Sequence, residues 1–282
     1  MSILKLTNSN YYSSKANQQY ISVSQYKDFF GTLGMRGCEA KAMAKLRGEY
    51  EQESTTAMLI GSYVDSYFEG TLAEFKSRHP EILKKDGTLK ADFIQAESII
   101  KRIESDMKFM QFMSGEKQTI MTAEIFGSMW KIKMDSYIPN TAIVDLKIVD
   151  DIYKPYFHKD TGKINFIQER GYDFQLAIYQ KVVELNTGKR LPCYIAAADK
   201  GKTTNIEIIQ IKQNELDSTL LGLDIGIKRI QQLKSHPLLE ERDGMRCQPE
   251  SKTTPERCGR CDYCKQTKII TRPVLMSELL EE

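Results

Sequence analysis

Three side chains near the middle of the sequence have the types and the spacing of a hydrolytic metal site. Asp145 and Lys147 follow an apolar run. Because side chains alternate between the faces of a strand, they emerge together, with Leu146 on the opposite face. Asp135 precedes the Pro139–Asn140 turn, so a hairpin can place it on the neighbouring strand. Two carboxylates and one ammonium on rigid elements suit metal-dependent hydrolysis of a phosphodiester. The triplet alone is common by chance, and a surface salt bridge is the alternative interpretation.

Two helical segments add polar side chains to this set. Gly61 and Asp65 lie four positions apart, hence on one face of a predicted helix. Gln175 and Tyr179 have the same spacing on a later helix. Asp65 is a candidate metal ligand, or alternatively a paired polar residue within a core helix. Gln175 and Tyr179 are ordinary packing residues in the alternative interpretation.

The elements that carry these residues follow an α/β pattern. Apolar spacing predicts helices over residues 38–52, 55–78, 91–113, 166–188 and 213–234. Period-two alternation predicts three antiparallel strands in 122–149, joined at Gly127–Ser128 and Pro139–Asn140, and two more strands at 192–198 and 205–211. We therefore expect an α/β core with a sheet flanked by helices. The predicted regions are helical (1–115), core (116–235) and cysteine-rich tail (236–282).

Composition excludes several classes of protein. The 282 residues are 41% hydrophobic and 28% charged, with a net charge of +2 from 40 basic and 38 acidic residues. This balance excludes a strongly basic nucleic-acid coat but allows a local basic groove. Lysines 131, 133, 200 and 202 could line such a groove or lie in solvated turns. The sequence has neither a membrane-spanning apolar run nor a phosphate-binding P-loop motif.

The six cysteines indicate a second metal site. The N-terminus has no signal-peptide pattern, so we expect a reducing cytoplasm, in which cysteines are more often metal ligands than disulfides. Cys258, Cys261 and Cys264 have the spacing of the first three ligands of a ferredoxin run, which takes a fourth ligand from elsewhere. Zinc usually takes two separated pairs, and here Cys247 would have to complete the set.

The polar residues stand in a characteristic order along the chain: Gly61-x3-Asp65, Asp135, Asp145-x-Lys147 and Gln175-x3-Tyr179. This order resembles the PD-(D/E)xK nuclease superfamily in its RecB-like exonuclease branch, with Asp65 where the family usually has histidine. Further stretches, such as GCEAKAMAKLRGEY, MLIGSYVDSYFEG and ERCGRCDYCK, are similar to phage and prophage nuclease-like proteins of Gram-positive bacteria. Those proteins are grouped with RecE-type exonucleases.

The resemblance implies a fold and a role for each residue. The fold is a restriction-endonuclease-like core, with a mixed central sheet flanked by helices and a cysteine-rich C-terminal tail. Mg²⁺ or Mn²⁺ would be bound by oxygen atoms. Its expected ligands are the carboxylates of Asp65, Asp135 and Asp145 and the Leu146 carbonyl, with Glu124 as an additional candidate.

Catalysis and DNA binding follow from the same resemblance. Asp135, Asp145 and Lys147 are the expected catalytic residues. Lys147 would orient or help to activate the attacking water and stabilise the transition state. Gln175 and Tyr179 would hydrogen-bond the DNA backbone.

The resemblance also supplies a fourth cysteine ligand. Related nucleases take one cysteine from before the core and three from after it, and Cys38 stands in the early position. We therefore expect a structural [4Fe–4S] cluster on Cys38, Cys258, Cys261 and Cys264, linking the tail to the N-terminal helices. The alternatives are Cys247 in place of Cys38, and Zn²⁺ in place of the cluster.

The function implied is a metal-dependent exonuclease on linear double-stranded DNA. It would work in phage recombination with a single-strand annealing protein, in the cytoplasm of a bacterial host, with no membrane association. Copies could close into a ring. One alternative is a non-catalytic accessory that binds DNA ends. Another is a single-strand nuclease or an end trimmer of the CRISPR-adaptation type.

Overall fold

The computed structural model describes residues 3–235, 240–242, 245–247, 254–270 and 272–279. Its α-helices are α1 Ser14–Gln19, α2 Val23–Phe30, α3 Glu39–Arg47, α4 Thr56–Glu69, α5 Leu72–Arg78, α6 Ala91–Glu104, α7 Met107–Phe112, α8 Phe166–Arg170, α9 Tyr172–Thr187, α10 Gln213–Thr219, α11 Leu223–Ser235 and α12 Asp262–Gln266. Its strands are β1 Thr119–Ile125, β2 Ser128–Met134, β3 Ser136–Ile138, β4 Ala142–Val149, β5 Tyr156–His158, β6 Gly162–Ile164, β7 Cys193–Asp199, β8 Ile206–Ile211, β9 Glu240–Arg242 and β10 Met245–Cys247.

The central sheet has the strand order β3-β4-β7-β8. β4 and β7 are parallel, whereas β3 and β8 are antiparallel to their neighbours. The two parallel strands are buried on both faces, as parallel strands with helices on either side usually are. This confirms the predicted mixed sheet flanked by helices.

The predicted run of three antiparallel strands is wrong in its connectivity. β2 pairs with β1 in a separate two-stranded sheet, and only the short β3 pairs with β4. The second edge of β2 is occupied by the N-terminal arm, since the N–H of Lys131 donates to the carbonyl of Ile21. The chain therefore changes sheet at Asp135, which lies between β2 and β3 rather than within a strand.

Four of the five helices predicted from apolar spacing are divided in two. Gly70 ends α4 and Gly171 separates α8 from α9, both in the left-handed conformation that glycine adopts without steric cost. Asp106 separates α6 from α7 because its side chain caps the N-terminus of α7. None of the described helices is long and apolar enough to cross a lipid bilayer.

Two hydrophobic cores lie on the two faces of the central sheet. Alternate residues of β4 belong to different cores: Ile143 packs with α9, whereas Val144 and Leu146 pack with α4 and α6. Strand β7 divides in the same way. The sheet thus fixes α9 and α4 on its opposite faces.

Candidate active site

Strand β4 carries the two central charged side chains. In its parallel pairing with β7, Asp145 lies beside Ile195 and Lys147 beside Ala197. Asp145 is only 2% exposed, and its Oδ2 forms an ion pair with the ammonium of Lys147. The pair points to the face of the sheet covered by α9, because Gln175 of that helix hydrogen-bonds Asp145. Strand alternation therefore places both groups as predicted.

Asp135 reaches the site because β3 is short. β3 covers β4 only over Ala142–Val144, and no described strand pairs with this edge of β4 from Asp145 onward. Asp135 directly precedes β3, and its Oδ2 accepts a hydrogen bond from the backbone N–H of Leu146, with an N–O distance of 2.9 Å. The Leu146 carbonyl accepts one from Lys147 Nζ at 3.1 Å. Asp135, Asp145 and this carbonyl thus meet at one open edge.

Helix α4 brings Asp65 to the same group of charges. Burial raises the pKa of Asp65 well above the usual carboxyl range, and the charge of Asp135 is the next largest cause. Lys147 opposes the rise, while Glu69 and Asp145 add to it. The structure therefore places Asp65 within electrostatic range of both predicted aspartates.

The carboxylates and the lysine strongly shift one another's pKa values. Burial and the charge of Asp145 raise the pKa of Asp135 to about 7, against a usual value of 3.8. Burial opposes the charged form of Lys147, but the charges of Asp145 and Asp135 outweigh it and raise the pKa of this lysine. Lys147 is consequently a permanent cation at neutral pH, surrounded by acids in excess.

Gln175 and Tyr179 hold Asp145 in place. The Gln175 amide donates to Asp145 Oδ1 at 2.7 Å and to the Tyr179 hydroxyl at 3.3 Å. The Tyr179 hydroxyl in turn donates to the Lys133 carbonyl at 3.1 Å. The sequence predicted contacts from these residues to DNA. In the structure their hydrogen bonds are to the protein, which gives them a positioning role, and the DNA contacts stay a prediction.

The donor set fits a hard divalent cation, which prefers carboxylate and carbonyl oxygen. Oδ2 of Asp145 is buried and, besides its ion pair with Lys147, accepts no aligned hydrogen bond. Asp65 and Asp135 have raised pKa values, first because they are buried and then because neighbouring carboxylates repel their charged forms. A bound cation would relieve this repulsion. Of the described residues, only four cysteines bring three or more ligand atoms within 4.8 Å of one another, so metal binding by the carboxylates stays a prediction.

These cysteines form a cysteine centre of Cys38, Cys258, Cys261 and Cys264. The Cys38 and Cys258 sulfurs lie 3.6 and 3.9 Å from that of Cys264. Backbone N–H groups donate to two of the sulfurs, from Lys41 to Cys38 and from Cys261 to Cys258. The structure thus brings together the four ligands implied by the resemblance. The side chain of the alternative ligand, Cys247, lies outside the described residues.

Polar contacts join the cysteine centre to the rest of the chain. Glu39, directly after Cys38, pairs with Arg229 of α11 through two hydrogen bonds of 2.8 and 2.6 Å. The same carboxylate accepts a hydrogen bond from the Glu256 N–H, and the Glu256 carbonyl accepts one from Ala40. Residues 254–264 therefore pack against the start of α3.

Two charged residues considered from the sequence lie elsewhere. Glu124 is exposed on β1, outside the central sheet, and does not contribute to the raised pKa values of Asp65 and Asp135. Lys131 is buried, and its ammonium donates to the Tyr11 carbonyl and the Asn17 side chain, so it does not line a groove.

Three residues at the site were missed. Glu69 lies one turn after Asp65 on α4, and this i, i+4 spacing was a usable signal. Lys27 and Tyr172 gave no such signal. Their proximity to Lys147 arises because α2 and the start of α9 pack together, as Tyr26 and Phe174 show with ring centres 5.0 Å apart.

Comparison with known families agrees with this geometry. Residues 22–267 match the model of a family described as "PDDEXK-like domain of unknown function (DUF3799)". The chain belongs to this PDDEXK-like family. The resemblance found in the sequence is thereby confirmed, and the fold described above is that of a PDDEXK-like domain.

Solved structures give a further comparison. The PDDEXK-like chain is 46% identical to a crystal structure from Eubacterium rectale named "Putative exonuclease", with a TM-score of 0.90 and 99% of each chain covered. A second structure, of SSO0001, is 11% identical to this chain and covers 65% of this chain and 80% of its own. Its TM-score of 0.26 is too low to indicate a shared fold. No curated protein matches the chain.

Proposed function

We propose that this PDDEXK-like protein is a metal-dependent DNA exonuclease acting on linear duplex DNA. The observation that carries the proposal is the convergence of Asp65, Asp135 and Asp145 around the ammonium of Lys147 at an open sheet edge. Three carboxylates lie around a single ammonium group. An excess of carboxylates is more typical of a divalent-metal site than of a structural salt bridge. The name of the Eubacterium rectale relative supports exonuclease activity.

Each residue has a distinct task in this proposal. Asp65, Asp135, Asp145 and the Leu146 carbonyl would hold Mg²⁺ or Mn²⁺. When bound, the cation would lower the pKa of a water molecule and offset charge on the leaving oxygen. Gln175 holds Oδ1 of Asp145, so that Oδ2 stays directed at Lys147. Lys147 would offer positive charge to the scissile phosphate and orient or help to activate the attacking water.

The test measures cleavage of two duplex DNAs of the same sequence, one linear with labelled ends and one a closed circle. Each is incubated with Mg²⁺, with Mn²⁺ or with EDTA. We expect the linear DNA to lose its label and become shorter when metal is present. The circular DNA, and all samples in EDTA, should stay intact. A Lys147→Met variant should be inactive. Lys101→Met, at an exposed position on α6, is the matched control and should keep wild-type activity.

Each failure points to a different alternative. Cleavage of the circle would indicate an endonuclease. Cleavage confined to single strands would favour the end-trimming alternative. End binding without any metal-dependent product would favour the non-catalytic accessory. Wild-type activity of Lys147→Met would refute the assignment of the site.

We further propose that the cysteine centre holds a structural metal that links the tail to α3. The resemblance implies [4Fe–4S], in which each sulfur binds a different iron and the sulfurs stand well apart. Two sulfur separations of 3.6 and 3.9 Å, with all four sulfurs within 4.8 Å of one another, favour one tetrahedral Zn²⁺, for which Zn–S bonds of about 2.3 Å place sulfurs roughly 3.8 Å apart. Metal analysis and the visible absorption spectrum of anaerobically purified protein distinguish the two. Metal-free, colourless protein would refute both.

The biological setting rests on the resemblance alone. In that setting the enzyme would be encoded by a phage or prophage and act in the host cytoplasm. It would produce single strands for an annealing protein, with several copies closing around DNA. Light scattering with and without DNA tests the ring, because a monomer under both conditions contradicts it.

A further inference from the structure

A lysine outside the set predicted from sequence lies beside the catalytic lysine. The ammonium groups of Lys147 and Lys27 lie 5.0 and 5.3 Å from the centre of the same ring, that of Tyr172. Lys27 belongs to α2, whereas Lys147 belongs to the central sheet. Two ammonium groups from separate elements thus contact one aromatic ring. Burial and then the charge of Lys147 lower the pKa of Lys27 to about 8, and a bound anion would relieve the repulsion between the two lysines.

The protein does not neutralise Lys27 with a close carboxylate. Its ammonium donates to the carbonyl of Arg170 at 2.9 Å, and of the described residues no carboxylate lies within ion-pair distance of it. Asp145 and Asp173 act on it only from farther away. Neighbouring surface lysines differ, since Lys45 pairs directly with Asp28 at 3.0 Å.

Local backbone geometry directs Lys27 to this position. A Cβ added at Gly171 would lie 3.3 Å from Cε of Lys27, so the absence of a side chain there leaves room for the lysine. Gly171 is also the N-cap of the sixteen-residue α9 and has no side chain to cap it, although the Asp173 carboxylate accepts a hydrogen bond from the Phe174 N–H in the first turn. The positive end of the helix dipole therefore lies beside Lys27, and the Asp173 carboxylate offsets part of it.

We propose that Lys27, the Tyr172 ring and the N-terminus of α9 form a second phosphate subsite, which binds the DNA phosphate next to the scissile one. The proposal rests on the nuclease function above. Each nucleotide of a strand carries one phosphate, so two cations beside one ring suit neighbouring phosphates of one strand. Lys147 then acts on the reacting phosphate, and Lys27 sets the register of the strand.

Binding measurements in EDTA test the subsite without cleavage. The probe is a short fluorescent duplex, titrated at several KCl concentrations. In Lys27→Met the slope of log affinity against log salt should fall by about 0.9, the value for one lost phosphate contact. Lys27→Arg should restore the slope, and the exposed control Lys101→Met should keep it. An unchanged slope in Lys27→Met overturns the proposal.

A change in the DNA gives a second test that does not depend on how a variant folds. One phosphate on either side of the first scissile linkage is replaced by a neutral methylphosphonate. Wild-type protein should lose roughly tenfold in affinity at one of the two positions, as for a charge-assisted hydrogen bond. Lys27→Met should lose nothing further there. Equal losses in both proteins overturn the subsite.

The two proposals fail in different ways. A wild-type protein that shows the Lys27-dependent slope but never cleaves with metal refutes the nuclease and leaves the subsite. If the wild-type protein cleaves DNA, but its slope of log affinity against log salt equals that of Lys27→Met, the subsite alone is refuted. A protein that does not bind DNA refutes both.

Discussion

Replacing Asp135 by Asn should stabilise the metal-free protein at alkaline pH while removing its activity. The pKa of Asp135 is raised to about 7 by burial and by the charge of Asp145, so the ionised form is disfavoured in the folded state. An amide carries no charge and has the same shape. Its oxygen can still accept the hydrogen bond from the Leu146 N–H.

The direction of the effect follows from proton linkage. A carboxyl with a higher pKa in the folded than in the unfolded state destabilises the protein as pH rises above 3.8, and fully so above about 7. A shift of about 3 units corresponds to roughly 4 kcal/mol as an upper bound. Asp135 is partly open to solvent, so screening reduces the expected gain to about 1–2 kcal/mol. The melting temperature should rise by roughly 2–6 °C at pH 8.

Thermal melting of both proteins in EDTA at pH 8 and pH 4.5 measures the effect. The advantage of Asp135→Asn should largely disappear at pH 4.5, where the wild-type carboxyl is protonated in the folded state. Adding Mn²⁺ at pH 8 should raise the melting temperature of the wild type more than that of the variant, because a ligand stabilises only the state that binds it. A variant that melts at or below the wild type at pH 8, while remaining folded, would refute the reasoning.

Three other predictions concern single residues. Lys147→Met should slow cleavage at least a hundredfold while leaving binding of DNA in EDTA within about tenfold, as gel-based cleavage and titration can show. Cys38→Ser should lose the metal of the cysteine centre and several degrees of melting temperature, whereas Cys193→Ala, at a core cysteine, should keep full metal content by elemental analysis. Tyr179→Phe removes the hydroxyl that accepts from Gln175 and should lower kcat about tenfold with little change in KM. A change confined to KM would instead support direct contact of Tyr179 with DNA.

Features that depend on the spacing of nearby residues were predicted best from the sequence. The common face of Asp145 and Lys147 follows from the two-residue period of a strand, and the helical positions of Asp65 and Gln175 from the apolar pattern around them. Cys38 was assigned only through the resemblance, because no spacing connects it to Cys264, 226 residues away. Family patterns carry such long-range information, whereas periodicity does not.

What the sequence missed depends on tertiary packing. The run over 122–149 alternates as three continuous strands would, but the N-terminal arm occupies the edge of β2 and the chain changes sheet at Asp135. Lys27 and Tyr172 approach Lys147 only because α2 packs against α9. Neither the change of sheet nor the packing of α2 against α9 produces a pattern in the nearby sequence, so both are visible only in the folded chain.

Leu146 explains why the site forms on this stretch of β4. Its side chain packs with α4 and α6, while its N–H and carbonyl, at the open edge, bond Asp135 and Lys147. Its two neighbours in sequence point to α9, where Gln175 holds Asp145. One residue of backbone therefore fixes the positions of groups from both faces and the edge of the sheet. The repulsion among the carboxylates cannot be relieved by a small shift of one helix, because each helix is held by its own core. In the function proposed above, a bound cation would relieve it, and the rigidity of β4 would keep the cation site ready.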